Sequence, residues 1–169
     1  VQNDCIVDSN TISGNCYNNV FDVNGDSTII QANTIFNTGG GVGVLVDYQV
    51  YTRVYNNIFF HTQSGSFLNS NNAEIYATGN LFEGNHGRGV QLTNQSTGLI
   101  YNNTLVSTNG DYGIYQYNQT NVPVYNNIFM GFNRGVYVEN TIQNYNINNN
   151  ILWDINNELF SGTALAPLA

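Results

Sequence analysis

Four residues carry side chains suited to gripping or cleaving an acidic sugar. Arg88 and Arg134 each lie two residues before an apolar position that recurs along the chain, and Asp111 lies three residues before the corresponding position between them. His86 lies two residues before Arg88. If these stretches stack, the sequence predicts an Arg–Asp–Arg column with a histidine beside it, which would hold an anionic sugar. The alternative is a surface ion ladder that contributes little to stability.

A carboxylate pair for glycoside hydrolysis is harder to find. Such a pair lies about 5–9.5 Å apart, and the 11 acidic residues are spread over different positions of the repeat. Asp22 and Asp26 flank a stretch, Asn24-Gly25, that is typical of a turn. No acid cluster suited to calcium is visible. We therefore predict no catalytic residue, no metal site and no cofactor. If the chain is an enzyme, the candidates are His86, Arg88, Asp111 and Arg134.

Composition excludes several classes of protein. The chain has 169 residues, three arginines, no lysine and a net charge of −8. A nucleic-acid binder needs a cationic footprint, which is absent. No apolar run approaches the roughly 20 residues of a membrane-spanning helix, so no membrane insertion is expected. Hydrophobic residues make up 41% of the chain, which argues against disorder.

Cys5 and Cys16 are the only cysteines. A local disulfide between them is expected in an oxidising compartment, and two buried free thiols are the alternative.

An internal repeat positions all these residues. One asparagine recurs at intervals of 23, 24, 23, 23, 24 and 23 residues. The recurring residues are Asn10, Asn33, Asn57, Asn80, Asn103, Asn127 and Asn150. Three apolar columns keep the same period. The first column is Val7, Ile30, Val54, Ala77, Ile100, Val124 and Ile147. The second is Ile12, Ile35, Phe59, Phe82, Leu105, Phe129 and Leu152, and the third is Phe21, Val44, Phe67, Val90, Ile114, Val136 and Leu159.

Each column lies in a short stretch of alternating apolar and polar residues, which is typical of a strand. Three short strands per 23–24 residues, repeated about seven times, predict an all-β parallel β-helix over residues 1–169, a single domain. Like residues then stack, and the recurring asparagines form an internal structural ladder of side-chain amides at a bend where left-handed backbone is favoured. Outward tyrosines fall into two further columns: Tyr55, Tyr101 and Tyr125 in one, Tyr115 and Tyr137 in the other. Such columns bind sugar faces, pack against a protein partner or simply stabilise the sheet.

The repeated text carries a family resemblance. Residues 54–59 and 124–129 both read Val-Tyr-Asn-Asn-Ile-Phe, and Gly135-Val136-Tyr137-Val138 follows the second copy. This pattern resembles right-handed parallel β-helix repeat proteins of the pectate-lyase-like superfamily and covers essentially the whole chain. The resemblance implies the right-handed fold, but that superfamily includes polysaccharide lyases, glycoside hydrolases, tailspikes and adhesins. The Gly-His-Gly and Arg-x-Lys of its polygalacturonase-like enzymes have only a partial counterpart in Asn85-His86-Gly87-Arg88-Gly89.

These observations favour a non-catalytic, extracellular or cell-surface structural protein. The chain begins and ends near the same column, which predicts end-to-end self-association into a filament or an adhesin stalk. A segment cut from a longer β-helix protein is the competing explanation. A polysaccharide-active or carbohydrate-binding β-helix domain is the alternative function, with a polysaccharide as partner.

Overall fold

The computed structural model describes residues 5–15, 18–24, 27–37, 39, 41–48, 51–61, 66–84, 87–118, 120, 122–139 and 146–162. Their regular secondary structure consists entirely of strands. In chain order these are β1 (Cys5–Asp8), β2 (Thr11–Gly14), β3 (Asn19–Val23), β4 (Thr28–Gln31), β5 (Thr34–Asn37), β6 (Val42–Asp47), β7 (Tyr51–Tyr55), β8 (Ile58–His61), β9 (Ser66–Asn71), β10 (Glu74–Thr78), β11 (Leu81–Gly84), β12 (Arg88–Thr93), β13 (Thr97–Tyr101), β14 (Thr104–Tyr117), β15 (Val124–Tyr125), β16 (Ile128–Glu139), β17 (Ile147–Asn148), β18 (Ile151–Trp153) and β19 (Glu158–Gly162).

All the strand pairs are parallel, and strands of the same position in the repeat stack on each other. The first sheet contains β1, β4, β7, β10, β13, β15 and β17 in that order. Strands β2, β5, β8 and β11 lead to the front half of β14, and β3, β6, β9 and β12 lead to its rear half. The predicted parallel β-helix is therefore confirmed. The first sheet has seven rungs, of which the five inner ones have a neighbour on both sides. The solenoid has about five full turns, rather than the seven that were predicted.

Two coils depart from the prediction of three short strands. Strands β14 and β16 run through both the second and the third position without a loop. A register shift between Val106 and Gly110 takes up the change of direction. Because a bulge bends a strand and increases its twist, β14 passes the corner while staying hydrogen-bonded to its neighbours.

The inward side chains form one core along the solenoid axis. The first apolar column pairs rung by rung as predicted, from Val7 to Ile147. The third column differs from the prediction by one residue at two coils. At the first, Val44 and Val90 pair with Leu68 rather than Phe67. At the second, Val136 pairs with Phe160 rather than Leu159. Two consecutive apolar residues stand at both places, so periodicity could not choose between them.

The asparagine ladder is present at the corner between the first and second strand positions. The side-chain amide of each ladder residue donates to the side-chain oxygen of the next, at 2.9–3.0 Å in all six steps. That oxygen also accepts the backbone N–H of the preceding ladder residue, as Asn80 Oδ1 does from Asn57 at 3.0 Å. The five inner members are buried. The predicted left-handed backbone lies one residue earlier, for example at Asn56 and Asn102.

Candidate functional site

The predicted Arg–Asp–Arg column is wrong, and a tyrosine takes the place of the aspartate. Arg88 pairs with Tyr112, and Tyr112 pairs with Arg134. Side chains alternate between the two faces of a strand, so only residues at the same offset from the inward column share an outward column. Tyr112 lies two residues before Ile114, as the arginines lie before their own column members, whereas Asp111 lies three before it.

The two arginines instead pack on aromatic rings. Arg134 Nη1 donates to Tyr112 Oη at 2.8 Å, and its guanidinium carbon lies 5.4 Å from the centre of that ring. The guanidinium carbon of Arg88 lies 4.5 Å from the ring centre of Tyr115, and Arg88 Nη1 donates to Gln91 Oε1 at 2.6 Å. Cation–π contacts of this length stabilise the cation over the ring face. The guanidinium groups are thus held in fixed positions on the outside of the strands at the third position of the repeat.

Tyr115 and Tyr137 form an aromatic stack beside the arginines. They pair across β14 and β16, their ring centres lie 5.4 Å apart, and the ring planes differ by 4°. Tyr112 packs against both, at 5.6 and 5.0 Å. We call Arg88, Tyr112, Tyr115, Arg134 and Tyr137 the arginine–tyrosine cluster. The sequence already carries the signal for Tyr112, because this residue lies two positions before Ile114, the same offset at which each arginine lies before its own column member.

Two tyrosines of the cluster resist ionisation. Loss of solvent raises the pKa of both the Tyr115 and the Tyr137 hydroxyl, and the negative charge of Glu139 raises it further. Tyr137 Oη donates to Glu139 Oε2 at 3.5 Å. Both hydroxyl groups are therefore neutral hydrogen-bond donors at physiological pH.

An open groove of about 400 Å³ runs next to the cluster. Arg88, Gln91 and Tyr115 form one side, and Asp47 and Asn69 contribute to the lining. Asp47 Oδ1 and Asn69 Oδ1 are both buried and have no hydrogen-bond partner. A buried acceptor without a donor is costly, and neither oxygen is reached from the groove in this arrangement of the side chains.

A second groove, of about 320 Å³, adjoins the first and shares Asn69, Arg88 and Gln91 with it. Asp111 lines this second groove, so it lies near Arg88 although it is absent from the column. A ligand that spans both grooves would meet the carboxylates of Asp47 and Asp111, the guanidinium of Arg88 and the ring of Tyr115.

Comparison with known proteins agrees with this architecture. A family model described as a right-handed beta helix region matches residues 1–105, more than half of the chain. The chain belongs to the right-handed beta-helix family. No curated protein and no solved structure matches it. Membership of the family determines the right-handed solenoid fold, but it does not determine what the outer faces of the solenoid bind.

The other predicted tyrosine column of this β-helix protein lies on a different sheet. Tyr55 pairs with Thr78, Thr78 with Tyr101, and Tyr101 with Tyr125. The rings of Tyr101 and Tyr125 are stacked at 5.6 Å. Thr78 interrupts the column, so a flat aromatic surface forms at one end only.

Several sequence predictions lie outside what the structure tests. His86 and Cys16 are not among the described residues. Cys5 is exposed in β1, and because Cys16 is outside the described residues, the Cys5–Cys16 disulfide stays a prediction. Within the described ranges, no three His, Cys, Asp or Glu side chains lie together as metal ligands. A search of the same residues finds no helix with the length and apolarity to cross a membrane.

Proposed function

We propose that this β-helix protein is a non-catalytic structural protein of the extracellular space or cell surface. The observation that carries the proposal is the ladder from Asn10 to Asn150, in which every step is a side-chain hydrogen bond inside the solenoid. Buried amide groups with all partners present hold each coil in one register on the next. A rod built in this way suits a fibre subunit or the stalk of an adhesin.

The placement of the candidate catalytic residues supports a role without catalysis. Arg88 and Arg134 are held by tyrosines and by Gln91, and Asp111 lies outside their column. The enzyme alternative is tested with Arg88→Ala and Asp111→Ala. If the wild type cleaves an acidic polysaccharide and either variant loses cleavage while keeping its β-sheet circular dichroism, the protein is an enzyme.

We further propose that copies associate end to end. Each ladder amide donates toward the C-terminal end, from Asn10 to Asn33 and finally from Asn127 to Asn150. A second copy stacked in line would continue this direction, with the amide of Asn150 donating to the side-chain oxygen of Asn10. Strands β17 and β1, at the two ends of the first sheet, would pair in parallel as every strand pair within the chain does.

Negative-stain electron microscopy at several protein concentrations tests this association. Stacked strands are about 4.8 Å apart, so seven rungs predict fibres with an axial repeat of roughly 34 Å. Short rods that stay dispersed at every concentration would contradict end-to-end assembly.

Carbohydrate binding is the second candidate function, and the arginine–tyrosine cluster favours it. The stacked rings of Tyr115 and Tyr137 are an aromatic surface of the kind that sugar faces pack against. The adjoining groove is lined by polar side chains, among them Asn69 and Gln91, that can hydrogen-bond sugar hydroxyls. Arg88 adds a positive charge for an acidic sugar.

A binding screen on neutral and acidic polysaccharides tests this candidate. For a polysaccharide that binds, Tyr115→Ala and Tyr137→Ala are each expected to weaken binding by at least about tenfold, because stacking on an aromatic ring is lost. Tyr55→Ala, on the first sheet, is the matched control and should bind as the wild type does. Equal binding by all three variants would contradict a site at the cluster.

A further inference from the structure

The outer side of the second sheet is apolar along most of the solenoid. Strands β5, β8, β11, β18 and the front halves of β14 and β16 bury every second residue and turn the others outward. The outward residues stack in two straight columns. One column is Thr34, Ile58, Leu81, Thr104, Ile128 and Ile151. The other is Phe36, Phe60, Glu83, Val106, Met130 and Trp153. We call these twelve residues the apolar face.

Exposure is concentrated on this face. Of the nine large hydrophobic side chains that the described part of the chain exposes, six belong to it. They are Phe36, Ile58, Ile128, Met130, Ile151 and Trp153, and Trp153 is the most exposed of them at 64%. Glu83 is the one charged residue among the twelve. A contiguous apolar surface of this kind marks an interaction site in a soluble protein.

The size of the face matches one half of a protein interface. The exposed parts of the six side chains sum to on the order of 600 Å², taking about 200 Å² for each fully exposed side chain. The partly exposed Phe60, Leu81 and Val106 add to this. A standard stable interface buries about 800 Å² on each partner, so full coverage of the face accounts for a complete interface.

We propose that the apolar face is the contact between two copies of this chain in a closed, two-fold dimer. The columns repeat at the strand spacing of about 4.8 Å, and a second copy has ridges and gaps of the same spacing. Side chains of one copy then fit between those of the other, as in sheets that pack face to face. This inference is independent of both the end-to-end association and the sugar site.

Two other occupants fit the face less well. A polysaccharide needs convergent polar groups, and the face offers two threonine hydroxyls and one carboxylate. An anionic membrane would repel a chain of net charge −8 that has no basic residue on this face. A second copy needs neither polar groups nor opposite charge.

The two-fold relation also sets which ends of the face meet. A two-fold axis that lies in the contact plane, parallel to the strands and level with the gap between β11 and β14, brings Phe36 of one copy toward Trp153 of the other. The same axis brings Phe60 toward Met130, a sulfur–aromatic contact. Glu83 then lies opposite Val106 of the other copy, one strand spacing of about 4.8 Å along the solenoid from the equivalent Glu83.

Trp153 is the only tryptophan and reports directly on the contact. Sedimentation velocity and tryptophan fluorescence are measured on the same concentration series. We expect a species of two chains to form, and the emission to shift to shorter wavelength as it forms, because the indole loses contact with water. A chain that stays monomeric with unchanged emission overturns the proposal, as does binding of the monomer to neutral phosphatidylcholine vesicles.

Two isoleucines provide matched variants. Ile151→Lys places a charge on the face, and Ile6→Lys places it on the first sheet at nearly the same exposure, 55% against 59%. Both lie in terminal rungs, so an end-to-end contact would suffer equally from either. We expect Ile151→Lys to raise the dimer dissociation constant by at least about tenfold, and Ile6→Lys to leave it unchanged. Met130→Lys, one coil away, should repeat the first result. Equal effects of Ile151→Lys and Ile6→Lys overturn the proposal.

Discussion

The molecule contains two ladders of asparagine side chains, one inside and one outside. The inner ladder runs from Asn10 to Asn150. The outer ladder stands at the end of the third strand position, where Asn94 Nδ2 donates to Asn71 Oδ1 and Asn118 Nδ2 donates to Asn94 Oδ1, both at 2.5 Å. Residue type and stacking are the same, but Asn94 and Asn118 are exposed whereas Asn80 is buried.

Burial gives the inner ladder partners that the outer one lacks. Asn80 Nδ2 donates to Val54 O at 2.8 Å and to Thr78 O at 3.1 Å, besides the bond to Asn103. Removing such a group leaves buried donors and acceptors unpaired, and this costs about 1–3 kcal/mol for each group. Water replaces a lost partner in the outer ladder. The comparison teaches that a repeated polar side chain is structurally decisive only where solvent cannot substitute for it.

The largest expected effect comes from a charge in the inner ladder. Asn80→Asp removes the amide donor and buries a carboxylate, so we expect the free energy of unfolding to fall by roughly 3–5 kcal/mol at neutral pH. Burial raises the pKa of such a carboxyl group, so the loss should shrink as the pH falls and the group becomes protonated. Urea unfolding followed by circular dichroism measures it. Asn94→Asp is the matched control, with an expected change within about 0.5 kcal/mol. Similar losses for both would remove the distinction between the ladders.

A smaller effect tests burial along the inner ladder itself. Asn80→Ala leaves the Asn57 N–H without its acceptor and opens a cavity, so we expect a loss of about 2–3 kcal/mol. Asn10→Ala removes an exposed end member and should cost less than about 1 kcal/mol. Thermal unfolding of the two variants gives the comparison. A loss that is the same at both positions would mean that stacking, and not burial, supplies the stability.

The smallest effect concerns the tyrosines on the outside. The pKa of Tyr115 and that of Tyr137 are raised in the folded protein, so both remain protonated at pH values where the unfolded chain has begun to ionise. Their contribution to the free energy of unfolding is fully present below the unfolded pKa of about 10, and it is lost as the pH rises through the pKa of the folded state. Ultraviolet titration should show tyrosinate forming later in the wild type than in the unfolded chain. Tyr115→Phe combined with Tyr137→Phe should reduce the late-titrating fraction, which Tyr76 still contributes to because its hydrogen bond to Glu74 also raises its pKa. An unchanged curve would contradict the assignment.

Much of the fold could be predicted from the sequence, since each coil repeats the same local text. The recurring asparagine and the first apolar column are correct from Val7 to Ile147. The third column fails at Phe67 and Leu159, where an adjacent apolar residue fits the period equally well. The candidate site fails for a related reason, because Asp111 is one residue away from the offset that the two arginines share.

The sequence by itself determined the stacking of coils, since a period of 23–24 residues brings like residues together independently of the conformation of the loops. Only the tertiary structure decided which outward side chains meet. A bulge in β14 changes the register between Val106 and Gly110, and a shift of one residue exchanges the two faces of a strand. The offset of Tyr112 could be read from the sequence, but its contacts with both arginines and the second asparagine ladder became visible only in three dimensions. The apolar face depends on the same alternation, read across strands that are far apart in the chain.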